Sequence, residues 1–61
     1  MKPDWKDAPE WAQWRAMDPD GSWFWFEKEP EWDCCWENQE GGLMLFAGSQ
    51  YSSFESLERR P

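Results

Sequence analysis

The sequence predicts a small, β-rich α+β domain: an antiparallel sheet of three to four strands with a tryptophan-rich core and a short C-terminal helix. Three observations lead there. Four consecutive aromatics stand in Ser22-Trp23-Phe24-Trp25-Phe26-Glu27, directly after the turn signal Asp18-Pro19-Asp20-Gly21. Trp and Phe are strong strand residues, and alternation sends Trp23 and Trp25 to one face and Phe24 and Phe26 to the other. Near the C-terminus, Ser52-x-x-Glu55 has the form of a helix capping box.

The 61 residues include seven Trp, four Phe and one Tyr but no Val, Ile, Thr or His, and only three Leu. A core must therefore be aromatic. Each buried Trp or Phe removes roughly 150–250 Å² from water, enough for a few of them to offset chain entropy in one domain of this size. We expect a single domain over 1–61, with an N-terminal arm at 1–10 and a helical tail at 49–61.

Taken in order, Pro3 and Pro9 discourage regular structure in the arm that carries Trp5. Asp7-Ala8-Pro9-Glu10 resembles a helix start, and one turn is expected around 8–12. A four-residue hairpin loop at Asp18-Pro19-Asp20-Gly21 pairs Met17 with Ser22, Ala16 with Trp23, Arg15 with Phe24 and Trp14 with Trp25. That register places Trp14 beside Trp23 and Trp25. Phe24 and Phe26 then share the other face with Gln13, Arg15 and Met17, where the arm or a second molecule must cover them.

Pro30 breaks the acidic segment after Phe26, so an edge or loop is expected there. A short strand from Cys34 to Glu37 follows, then a turn at Asn38-Gln39-Glu40-Gly41-Gly42. Leu43-Met44-Leu45-Phe46-Ala47, the only aliphatic-rich run, is the expected buried strand. Beyond Gly48, the capping box, with Phe54 and Leu57 on one face and Arg59 and Arg60 in the last turn, predicts the helix.

Charge narrows the function classes. Thirteen Asp and Glu oppose six Lys and Arg, a net of −7. Such a surface repels nucleic acid and anionic lipid and favours encounter with basic protein surfaces. Direct nucleic-acid binding is therefore not expected, because stacking platforms of aromatics work together with a basic groove. The bland reading is that acidity keeps an aromatic-rich chain soluble. No run approaches the length of a membrane span, and Met1-Lys2-Pro3-Asp4-Trp5 has no apolar leader core, which predicts a cytoplasmic setting.

An enzyme is not expected. His, the usual general base, is missing. A nucleophilic Cys34 or Cys35 needs a cation nearby, and its neighbours are Asp33 and Glu37. Two adjacent Cys do not complete a tetrahedral zinc site, and Asp18-Pro19-Asp20-Gly21 is only a fragment of a calcium loop, so no metal or cofactor is expected. The Cys pair reads as two thiols on opposite faces of a strand rather than a strained vicinal disulfide.

The acidic segment is the candidate site. Glu27, Glu29, Glu31 and Asp33 recur at every second residue, and an extended backbone holds such carboxylates about 6.6 Å apart, roughly every second phosphate of a nucleic-acid strand. Glu37 and Glu40 add charge, and Trp32 or Trp36 could anchor an interface. The bland counterpart is an acidic edge that deters strand-to-strand aggregation.

At Asp4-Trp5-Lys6-Asp7-Ala8-Pro9-Glu10-Trp11-Ala12, then Trp14, Asp18, Gly21, Trp23 and Trp25-Phe26-Glu27, the sequence resembles a class of small phage and prophage proteins. These share a D-W-x-x-A-P-E-x-A opening and a D-x-x-G-x-W hairpin. The resemblance covers about the first half and implies a mobile-element origin, with structural motifs rather than a shared activity. Small acidic phage proteins include inhibitors of host nucleases, among them anti-CRISPR proteins that mimic nucleic acid. By that analogy of size and charge, the expected function is inhibition of a host nucleic-acid-binding protein through a DNA-mimicking acidic surface. The alternative is a phage structural or assembly module that forms a homodimer through Phe24 and Phe26. A small-ligand or sugar binder using exposed Trp is a third class.

Overall fold

Asp18, Pro19, Asp20 and Gly21 set the first hairpin, joining strands β1 (Trp14–Met17) and β2 (Ser22–Phe26). In the computed structural model, which describes residues 3–49 and 57–61, the loop closes over Pro19, Asp20 and Gly21, one residue tighter than the sequence predicts. The Gly21 N–H donates to the Asp18 carbonyl and the Asp18 N–H to the Ser22 carbonyl, each at 2.9 Å. Pro19 and Asp20 thus form a type I-like turn, and Gly21, with φ of 92°, supplies the left-handed residue that closes a three-residue loop with a bulge. Asp20 Oδ1 accepts from the Ser22 N–H at 2.9 Å.

Closure at Asp18 and Ser22 corrects the register. Met17 lies opposite Trp23, Ala16 opposite Phe24, Arg15 opposite Trp25 and Trp14 opposite Phe26. A one-residue slip exchanges faces between paired strands. Trp23 and Trp25 therefore share a face with Arg15 and Met17, while Phe24 and Phe26 share the other with Trp14 and Ala16. The expected Trp14–Trp25 pair does not form.

The remaining strands are β3 (Glu31–Trp32), β4 (Trp36–Glu37), β5 (Met44–Ser49) and β6 (Leu57–Arg59). The main sheet has the order β5-β2-β1-β6, with every neighbouring pair antiparallel, and β3 and β4 form a separate two-stranded hairpin. Buried apolar residues lie on both faces of the central strands: Met17, Trp23 and Trp25 on one, Ala16 and Phe26 on the other, with Ala12 just before β1. Among the described residues, Trp23 and Phe26 are the largest fully buried side chains.

The expected C-terminal helix is overturned. Leu57, Glu58 and Arg59 pair with Ala16, Arg15 and Trp14 as an edge strand, and the Arg60 N–H donates to the Gln13 carbonyl at 2.6 Å. The free edge of β1 offers backbone partners that a three-residue helix end cannot match, so sheet pairing wins over local capping. The capping box at Ser52 and Glu55, and Phe54, lie outside the described residues. Among the described residues the helical content is one 3-10 turn, Trp5–Asp7, capped by Asp4, whose carboxylate accepts from the Lys6 N–H at 3.0 Å. The turn expected around 8–12 is a single Ala12 N–H to Pro9 carbonyl bond at 3.0 Å.

The arm covers the tryptophan face. Trp5 meets Trp25 with ring centroids 5.4 Å apart and lies between two guanidinium groups, Arg15 at 4.8 Å and Arg60 at 5.7 Å. Arg15 also donates to the Pro3 carbonyl and to Glu58 Oε1 at 2.7 Å, which ties arm, β1 and β6 together. Arg60 donates to the carbonyls of Pro9 and Ala12 at 3.0 and 2.7 Å.

The aliphatic run is a second correction. Expected as a buried strand, β5 is an edge strand, and Leu43, Met44, Leu45 and Phe46 are 50, 41, 50 and 56% exposed. The β2–β5 register shifts between Trp23 and Phe24, where Trp23 pairs with Gly48 and Phe24 with Phe46. Gly48, with φ of 120°, provides the backbone that absorbs the extra residue.

Candidate functional site

Pro30, buried beneath an otherwise polar segment, turns the chain out of β2 and into the β3–β4 hairpin. Its strands hold Glu31 opposite Glu37 and Trp32 opposite Trp36. Cys34 occupies the tip with φ of 59°, a left-handed conformation that lets three residues reverse the chain, and the Asp33 N–H donates to the Cys35 carbonyl at 2.9 Å. The hairpin is tethered through its backbone: the Trp36 N–H donates to Asp18 Oδ1 at 2.9 Å. Asp18 therefore serves both the first turn and the second hairpin.

The two cross-strand pairs point to opposite faces of the hairpin, since alternate side chains diverge. One face carries Glu31 and Glu37, both exposed. The other carries the indoles, with ring centroids 5.1 Å apart and edge-on at 63°. Trp36 is half-buried, and Trp32, braced against it, is 55% exposed.

The sequence-predicted set is only partly brought together. Glu31 and Glu37 meet, with Asp33 exposed at the adjoining bend. Glu29 is exposed in the irregular segment before β3. The ladder is not one extended run: the backbone bends at Glu27 and Lys28 and again at Asp33, so Glu31 alone of its four carboxylates lies in a strand. Glu27 faces elsewhere, its carboxylate accepting from the Leu43 N–H at 3.2 Å. Glu40 is exposed on the turn before β5, where its carbonyl accepts from Lys28 Nζ at 3.1 Å. Of the two residues expected to self-associate, Phe26 is fully buried and Phe24 is half-buried, against Phe46 at 5.6 Å.

Cys34 and Cys35 are free thiols, the first exposed and the second half-buried. Desolvation, then the neighbouring Cys34 and the carboxylates of Asp18 and Glu37, push the Cys35 thiol above its ordinary value. That is the opposite of what a nucleophile requires. Among the described residues no group of three or more His, Cys, Asp or Glu could hold a metal ion, and no helix is long and apolar enough to cross a membrane.

Two features were missed from the sequence. One is the anchoring role of Asp18, which a turn motif hides. The other is the exposed β5 edge, for which the signal was the absence of any charge from 43 to 54 in an otherwise acidic chain. The chain matches no family model, no curated protein and no solved structure.

Proposed function

We propose that this chain is a non-catalytic inhibitor, encoded by a phage and acting in the host cytoplasm, that binds a basic, nucleic-acid-handling host protein through the acidic β3–β4 hairpin. The observation that carries this reading is the composition of that hairpin. Like charges directly opposite on antiparallel strands destabilise the pairing, and Trp32, although it packs on Trp36, leaves more than half of its surface in water. Glu31 opposite Glu37 with Trp32 half out in solvent therefore costs stability in a two-stranded ribbon that has little to spare. Local departures of this kind are expected where a surface is kept for binding.

In the bound state Glu29, Glu31, Asp33 and Glu37 meet cationic side chains that ordinarily hold phosphates. Trp32, on the opposite face of the hairpin, supplies an aromatic anchor to a partner whose groove encloses both faces. Steering by the net charge of −7 speeds encounter, and the complex weakens as salt rises.

Capture of proteins from a bacterial lysate on the immobilised chain tests this at low and high salt. Nucleic-acid-binding proteins are expected at low salt, and Glu29→Lys with Glu31→Lys should release them. An unchanged set after that charge reversal would refute the reading.

A further inference from the structure

Among the described residues no strand pairs with the outer edge of β5, and the chemistry of that edge singles out one occupant. Residues 43–54 include no Asp, Glu, Lys or Arg, while 19 of the 49 residues elsewhere are charged. Exposed edges are ordinarily blunted by charge, Pro or a covering element. Here the bulge at Gly48 comes only near the end of the strand, and Met44, Leu45 and Phe46 run exposed before it. A basic partner has nothing to recognise on this edge. An identical uncharged strand does.

The backbone pattern fixes how two such strands would meet. The Glu27 N–H donates to the Leu43 carbonyl, so on the β2 side position 45 is the next hydrogen-bonded position and 44 and 46 are not. Met44 and Phe46 therefore turn their N–H and C=O groups to the open edge. Antiparallel pairing about a two-fold axis at Leu45 places Met44 against the partner copy's Phe46 and Phe46 against its Met44, each pair exchanging two N–H···O bonds. The side chains agree with that register. Met44 meets Phe46 as a sulfur–aromatic contact, and Leu45 meets Leu45 on the axis at a close, non-hydrogen-bonded position.

We infer that the chain forms a homodimer through β5, joining two four-stranded sheets into one continuous sheet. This self-association belongs to the aliphatic edge and not to the Phe24 and Phe26 face, of which Phe26 is fully buried. It is independent of the acidic hairpin. The four exposed side chains present roughly 400 Å² per copy, so the pair buries about 800 Å² of apolar surface, at the weak end of specific interfaces. An interface of that size is weak, so the dimer is expected to fill only at high concentration.

Sedimentation velocity from about 5 μM to about 1 mM reads this directly. The expected result is monomer at the low end and dimer at the high end, with association strengthening as salt screens two copies of net charge −7. Leu45→Lys and Phe46→Lys should each keep the chain monomeric with an unchanged circular dichroism spectrum, because both side chains are half exposed. In a Cys34→Ser, Cys35→Ser background, Leu45→Cys should cross-link with glutathione disulfide as oxidant, since Cα atoms about 4.5 Å apart are within disulfide reach. Ser49→Cys should not. A monomer at about 1 mM, a dimer indifferent to Leu45→Lys, or equal cross-linking at 45 and 49 would each overturn the inference.

Discussion

Replacing Arg15 by Met keeps the apolar stem and removes the guanidinium that joins arm to sheet. The Arg15 and Glu58 side chains are 11 and 24% exposed, and the 2.7 Å contact between them is a charge-assisted bond of the kind worth about 1.5–3 kcal/mol. Arg15 also stacks over Trp5 at 4.8 Å, worth about 0.5–1 kcal/mol more, and donates to the Pro3 carbonyl. Burial acts the other way. It pushes the guanidinium pKa down against the pull of Asp4, and Nε is buried with no hydrogen-bond partner among the described residues. The balance is a loss of about 2 kcal/mol, against a total of roughly 3–9 kcal/mol for a domain this size. Urea unfolding followed by tryptophan fluorescence measures it, and a double-mutant cycle with Glu58→Gln isolates the ion pair. A loss under about 0.5 kcal/mol, with no coupling to Glu58, would refute the view that Arg15 fastens the arm.

Other perturbations test other joints. Asp18→Ala removes the acceptor of the Trp36 N–H and should cost about 1 kcal/mol, with faster amide exchange in the β3–β4 hairpin. Gly48→Ala should cost about 1–2 kcal/mol in thermal unfolding through backbone strain alone, because φ is 120° and an added Cβ meets nothing within 4 Å. The Asp20 carboxyl lies below its ordinary value because it accepts from the Ser22 N–H and then from the Ser22 hydroxyl. Its contribution is therefore present above the ordinary aspartate pKa and is lost as pH falls through the depressed one. Asp20→Asn should flatten that acid limb in melts taken at successively lower pH, and an unchanged limb would contradict the assignment.

Much of the sheet was legible because turn chemistry is local. Asp18-Pro19-Asp20-Gly21 marks a reversal whatever the loop length, and the aromatic run after it has few conformations open other than a strand. The register was not legible. The same four residues suit a four-residue loop or a type I-like turn with Gly21 in a bulge, and only the hydrogen bonds across the loop distinguish them. Burial of β5 failed for a different reason. Aliphatic content reports what a strand would gain by burial, but position in the sheet is a long-range property, and the aromatic residues of β1 and β2 had already filled the centre. The C-terminal strand was missed because Leu57, Glu58 and Arg59 are too few for periodicity to distinguish helix from strand, whereas pairing with β1 decides it.

At the candidate site, the alternation of acids at Glu27, Glu29, Glu31 and Asp33 was visible, but alternation yields a ladder only if the backbone stays extended. Bends at Glu27, Lys28 and Asp33 break it, and the hairpin replaces a linear row of carboxylates with the opposed pair Glu31 and Glu37. That pairing depends on Cys34 adopting a left-handed conformation, which few non-glycine residues do and which no composition argument anticipates.

The central claim, that the β3–β4 hairpin occupies a site built for nucleic acid, is tested most directly by competition. A protein captured from lysate is purified, and its binding to labelled duplex DNA is measured with increasing amounts of the chain. Displacement at stoichiometric amounts, weakened at least about tenfold by Glu31→Lys with Glu37→Lys and lost at high salt, is the result expected. DNA binding that persists while the chain is bound, or displacement unaffected by that charge reversal, would contradict the account.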